Sequence, residues 1–107
     1  MAIDVEKRKL LALDAIRQAF GTEKGDHSVN LFVEHHLEEL PSSYWQQHLG
    51  TGAPEPVAIL GLLEFRSSWG EGEIEYFDFT LPDEVTDYVM SVHFDVTGAI
   101  DGISMES

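Results

Sequence analysis

Glu73-Ile74-Glu75-Tyr76-Phe77-Asp78-Phe79-Thr80-Leu81 is the stretch on which the fold turns. A two-residue period places Phe77 and Phe79 on one side and Ile74, Tyr76 and Asp78 on the other, which predicts a strand with one apolar face. Pro82 and Asp83 then turn the chain. In the next run Tyr88, Met90, Val92 and Phe94 face one way while Val89, Ser91, His93 and Asp95 face the other, so a second strand follows. Asp95-Val96-Thr97-Gly98 has Asp at the first and Gly at the last position of a type I turn, which predicts a hairpin into a strand from Ile100 to Glu106.

Upstream, Val57 to Arg66 is apolar on both alternations until Glu64, the pattern of a central strand covered on both faces. A turn at Gly70 to Gly72 joins it to the quoted stretch. Short connections make the four strands an antiparallel meander over 57–106. The segment 50–56 holds two Gly and two Pro and reads as a linker. Before it, 2–49 is helical. Asp4 can cap a first helix in which Leu10, Leu13, Ile16 and Phe20 recur at helical spacing, and Gly21 stops it. Ser28 can cap a second helix with Val29, Phe32, Val33, His36, Leu37 and Leu40 on one face, ended by Pro41. Ser42 or Ser43 starts a short third turn carrying Tyr44, Trp45, His48 and Leu49. The expected architecture is one α+β domain over 1–107, with two to three N-terminal helices packed on one face of a four-stranded antiparallel meander.

The 107 residues suit a single domain, and 43% hydrophobic with 24% charged residues suits a chain that builds one core. There is no cysteine, so disulfides, thiolate metal sites and a cysteine nucleophile are excluded. The longest apolar run, Val57 to Leu63, falls far short of the ~20 residues of a membrane-spanning helix. Asp4, Glu6, Lys7, Arg8 and Lys9 do not suit a signal peptide, and the expected location is cytoplasmic.

Charge is the strongest functional signal. Six Lys plus Arg against 20 Asp plus Glu give a formal net charge of −14. The imbalance is uneven: residues 1–25 hold five basic and four acidic side chains, whereas 26–107 hold one and sixteen, Arg66 being the single base. Nucleic acid and anionic lipid are disfavoured as partners, because their phosphates need Lys and Arg. A basic protein is favoured. If Phe77 and Phe79 meet the helices, the opposite sheet face carries Glu64, Arg66, Tyr76, Asp78, Ser91, His93, Asp95, Ser104 and Glu106, with Trp69, Glu71 and Glu73 in the adjoining turn. Two readings stand side by side. Glu64, Trp69, Glu71, Glu73, Tyr76, Asp78, His93 and Asp95 form a docking surface for a basic protein, with Tyr76 or Trp69 as anchor; or the face is a solvated one whose like charges prevent edge pairing.

Catalytic and metal motifs are weak by comparison. His35-His36-Leu37-Glu38-Glu39 puts His35 and Glu39 on one helix face, but adjacent histidines point about 100° apart and there is no His-Glu-x-x-His. His35 is expected at the surface beside Glu39, and His36 and His48 are expected as hydrogen-bonded packing residues. Arg66-Ser67-Ser68-Trp69-Gly70 is not a nucleophile elbow, and no glycine-rich run is followed by Lys-Ser or Lys-Thr. No catalytic residue, metal ligand or cofactor site is assigned. The rival to a binding protein is a small hydrolase or metal-dependent enzyme using His93 with Asp78, Glu64 or Asp95.

Trp69-Gly70-Glu71, Glu75-Tyr76-Phe77-Asp78-Phe79-Thr80-Leu81-Pro82, Val85-Thr86-Asp87-Tyr88-Val89 and the closing Ile103-Ser104-Met105-Glu106-Ser107 together resemble a small acidic bacterial domain family without an assigned reaction. The resemblance covers about 57–107. It implies a helical first half, a closing hairpin and no catalytic residues to carry over. Small acidic families of this type often occur beside toxin genes as immunity proteins. The resemblance and the charge together lead to the expectation of a non-enzymatic, toxin-neutralising protein with a basic partner.

Overall fold

The computed structural model describes residues 5–106. Four helices precede a four-stranded antiparallel sheet, an α+β fold. The helices are α1 (Val5–Ala19), α2 (Val29–Glu39), α3 (Ser42–Leu49) and α4 (Pro56–Leu60). The strands are β1 (Glu64–Trp69), β2 (Tyr76–Thr80), β3 (Val89–Phe94) and β4 (Ile100–Glu106), in the order β1-β2-β3-β4. Single 3₁₀ turns span Glu23–Gly25, Glu71–Glu73 and Pro82–Glu84. No helix among the described residues is long and apolar enough to cross a membrane.

One core joins the layers. Phe77 and Phe79 of β2 and Met90, Val92 and Phe94 of β3 pack with Ala12, Ile16, Phe32, Val33, Trp45, Ile59 and Leu60 from the helices. The predicted apolar face of α2 is thus the buried one. On α1 the stripe is rotated: Ala12 and Ile16 are buried with Leu13 and Phe20 beside them, but Leu10 is 70% exposed. Two residues before Ala12, Leu10 lies about 200° around the helix from it, so both cannot face the sheet. The Asp4 cap lies outside the described residues.

Other expectations are corrected. Val57 to Arg66 is not one strand, and the linker ends a residue early, because Pro56 to Leu60 forms α4. Proline at the first helical position carries a preset φ and lacks an N–H that would be orphaned there. A short apolar run fits a buried helix turn as well as a buried strand. Here Ile59 and Leu60 are buried and Val57 is outward. The strand predicted over Glu73 to Leu81 begins only at Tyr76, since Glu71–Glu73 is a 3₁₀ turn and Glu73 has a φ of 61°. Ser28 occupies the N-cap of α2 but makes no capping bond, its φ and ψ being −137° and −91°. The preceding turn is held instead by Asn30, whose Oδ1 accepts from the Gly21 N–H at 2.7 Å and whose Nδ2 donates to Thr22 O at 3.1 Å.

Two bulges shape the sheet. In β1, Phe65 pairs with Phe79 and Ser67 with Asp78, leaving Arg66 as the extra residue. In β4, His93 faces Gly102 and Phe94 faces Ile100, leaving Asp101 as the extra residue. A bulge reverses the alternation beyond it. Phe65 therefore lies on the core side while Ser67 and Trp69 turn to the opposite face.

Candidate interaction surface

The face of the sheet away from the helices is ordered by cross-strand rows. Trp69, Tyr76, His93 and Gly102 make one row, and Ser67, Asp78, Ser91 and Ser104 the next. The β1 bulge delivers Trp69 onto Tyr76, with ring centroids 4.0 Å apart and planes 10° from parallel. Its indole Nε1 donates to Asp78 Oδ2 at 3.0 Å. Tyr76 in turn lies 4.6 Å from the His93 ring. Trp69, Tyr76 and Asp78 are thus brought together as one network, with Trp69 still 47% exposed.

His93 is held from both sides. Its Nε2 lies 2.9 Å from Glu75 Oε2, and its Nδ1 bonds Asp101 Oδ1. Both partners are carboxylates, which only accept, so the fully bonded ring is the imidazolium. The bonds to Asp101 and then Glu75 raise the His93 pKa against a small opposing effect of burial. Glu75 is held low first by the Glu71 N–H, which donates to its Oε1 at 3.1 Å, and then by His93. Gly70 permits this close fit: its φ is 87°, and a Cβ there would come within 2.6 Å of the Glu75 Cβ.

The expected partners of His93 are not the observed ones. Asp78 serves Trp69. Asp95 closes its own hairpin, its Oδ1 accepting from the Thr97 N–H at 2.9 Å, the Thr97 hydroxyl and the Ala99 N–H, and these bonds lower its pKa. Glu64 pairs with Thr80 at the far end of β1, four pairs away from the Trp69–Tyr76 row, and is exposed. Glu71 and Glu73 are exposed in the β1–β2 turn, where Glu71 contributes its backbone N–H. Glu75 and Asp101 were missed for a common reason. Strict alternation puts Glu75 with Phe77 and does not foresee the bulge that frees Asp101 toward His93. The one signal was the pair of turn regions that flank them.

The face is also less open than alternation implies. Val89 and Ser91 are buried, as the floor of a concavity of about 890 Å³ whose rim includes Arg66, Trp69, Tyr76, Asp87 and Glu106. Short side chains on an inner strand are overhung by long ones from the neighbours.

Three further histidines, His35, His36 and His48, make packing or hydrogen-bonding contacts. His36 Nδ1 lies 2.7 Å from Phe32 O, and its Nε2 is 2.9 Å from Thr86 Oγ1. A carbonyl must accept, so Nδ1 carries the proton and the Thr86 hydroxyl donates to Nε2. Burial lowers the pKa of His36, partly offset by the Phe32 bond. His48 Nε2 bonds Asp83 Oδ2 at 2.7 Å, and the Tyr44 hydroxyl donates to Pro82 O at 3.0 Å. Burial, with Asp83 and Glu64 nearby, pushes the Tyr44 hydroxyl up to about 12. These bonds fasten the β2–β3 connection, in which Asp83 and Glu84 have φ values of 69° and 51°. Left-handed backbone at two successive non-glycine residues is strained and needs such clamps. His35 does not pair with Glu39 as expected but packs edge-on against Tyr88, with centroids 4.9 Å apart. No group of three or more His, Cys, Asp or Glu side chains among the described residues is placed to hold a metal ion.

No protein-family model matches the chain, and no curated protein or solved structure is significantly similar to it. The family resemblance of 57–107 therefore remains a resemblance and assigns no identity.

Proposed function

We propose that this chain is a non-enzymatic binding module that presents an acidic surface to a basic protein, in its most concrete form an immunity protein that neutralises a cognate toxin. The observation that carries this reading is the concentration of charge: one base against sixteen acids in 26–107, with eleven of the acids from Glu64 onward, in the strands and their connections. Such a field steers a basic partner into encounter and is screened over ~8 Å at physiological salt. The preassembled Trp69–Tyr76–Asp78 network adds a half-exposed aromatic anchor that needs little ordering on binding. A toxin acting on nucleic acid must itself be basic, so an acidic surface is a direct means of covering its site.

The rival reading, an enzyme centred on His93, draws support from the two carboxylates that flank the ring. Both ring nitrogens are bound to those carboxylates, however, and neither is open to take a proton from a substrate. The test is affinity capture from native lysate of a related bacterium, identification of the retained protein, and association kinetics with that protein purified. A basic partner whose on-rate falls steeply with salt is the expected result. A salt-independent on-rate overturns the reading.

A further inference from the structure

Among the described residues, four buried side-chain polar atoms have no hydrogen-bond partner, and two of them lie together beneath the outer face of the sheet: Asp78 Oδ1 and Ser91 Oγ. Asp78 and Ser91 are direct cross-strand partners, and both line the concavity between β1 and β4. Ser91 is 3% exposed. A buried acceptor without a donor is expensive to maintain, and a carboxylate oxygen more so than a neutral one. Over this floor stand the carboxylates of Asp87 and Glu106, the rings of Trp69 and Tyr76, and Arg66, whose side chain makes no hydrogen bond or ion pair among the described residues.

We propose that this concavity receives the guanidinium of an arginine side chain from the basic partner, with Asp78 Oδ1 and Ser91 Oγ accepting its N–H groups. The proposal rests on the reading of the chain as a binder of a basic protein and names the side chain that protein inserts. Three features select a guanidinium. Asp78 Oδ1 can only accept and the Ser91 hydroxyl can accept as well as donate, and a guanidinium offers them five N–H donors in a planar fork. Asp78, Asp87 and Glu106 outweigh Arg66, so a cation is favoured over an anion. The aromatic wall suits a flat, weakly hydrated cation better than a compact ammonium. Both acceptors lie under the rim, and Arg66, being unbonded, is the side chain that gives way as the guest enters.

The test uses the full chain, ¹⁵N-labelled, titrated with Nα-acetylarginine amide, the corresponding citrulline and lysine amides, and inorganic phosphate. Arginine amide is expected to shift the backbone signals of Asp78, Ser91 and Ser104 and the Trp69 indole, with the lysine amide weaker and citrulline amide, of the same shape without the charge, inert. Asp78→Asn and Ser91→Ala should each weaken arginine binding about fivefold or more, and Arg66→Ala should tighten it. Ser91→Ala should melt no lower than the parent, because it removes an unpaired hydroxyl. Should that variant fail to fold, Asp87→Asn at the rim takes its place with the same expected weakening. Equal binding of citrulline amide, arginine shifts unaltered by these variants, or phosphate bound through Arg66 would each overturn the proposal. None of those results touches the salt dependence of the partner's on-rate. Conversely, arginine bound here alongside a salt-independent partner would remove the broader reading and leave the site.

Discussion

Phe77 and Phe79 on one side of β2 are wholly removed from solvent, whereas Tyr76 and Asp78 on the other are partly exposed and tied to Trp69 and His93 through rings and hydrogen bonds. The two faces are held by different forces. The inner face depends on non-directional burial and tolerates any apolar contact of the right volume. The outer face depends on directed contacts among Glu75, Tyr76, His93 and Asp101, which fix geometry more than they add stability. Mutation should therefore separate folding from surface organisation along a single strand.

The inner face gives the largest expected effect. Phe77→Ala removes a fully buried ring that touches Phe65 and Phe94, and should lower unfolding free energy by ~3 to 5 kcal/mol in urea or guanidinium titration. A loss below about 1 kcal/mol would mean that the core closes around the gap, and the contrast between faces would fail.

Gly70→Ala should come next, at about 1 to 3 kcal/mol, because its φ of 87° and ψ of −160° lie in a backbone region essentially reserved for glycine. The alanine Cβ also displaces Glu75, so the His93 pKa measured by NMR should fall toward its ordinary value. An unchanged His93 titration would show that Glu75 is held by something other than the Gly70 approach.

Alternation along β2 and β3 was legible in the sequence because Phe77, Phe79, Met90, Val92 and Phe94 all meet the core, and the Asp95 to Gly98 hairpin was legible because its turn chemistry is local. The start of α4 at Pro56 was not, since an apolar run reads alike as strand or helix. The site was half legible. Trp69, Tyr76 and Asp78 carry their own signals, but their convergence depends on the Arg66 bulge, and the His93 clamp depends on the Asp101 bulge. A bulge is a property of two paired strands, and no single strand's sequence declares it.

Acidity should sharpen the contrast, because folding shifts the pKa values of His36 and His93 in opposite directions. His36, on the helix side, has a lowered pKa when folded, so its contribution is complete above the unfolded value of ~6.5 and is lost as pH falls below it. His93, on the outer face, has a raised pKa, so its contribution is complete below ~6.5 and is lost as pH rises through the folded value. Stability measured across this range should lose its acid-side slope in His36→Gln and its alkaline-side slope in His93→Gln. Loss of the same slope in both variants would contradict the assigned protonation states.

The smallest expected effects on folding are at Tyr76 and Asp78. The Tyr76 ring lies at the surface between Trp69, on which it stacks, and His93, to which it is tilted, and such ring pairs contribute about 0.5 to 1.5 kcal/mol each beyond burial, so Tyr76→Ala should cost far less than Phe77→Ala one residue away. The surface should register the change instead. Without Tyr76 behind it, Trp69 loses its stack and keeps only the bond to Asp78, so its indole signal should broaden and partner dissociation should quicken. Asp78→Asn isolates the charge: the amide oxygen can still accept from the indole, and the partner's on-rate should fall with little change in stability. Both variants can be followed by denaturation and by binding in parallel. If Tyr76→Ala unfolds the domain while Phe77→Ala leaves it standing, β2 faces the other way, and the surface assigned to the partner goes with it.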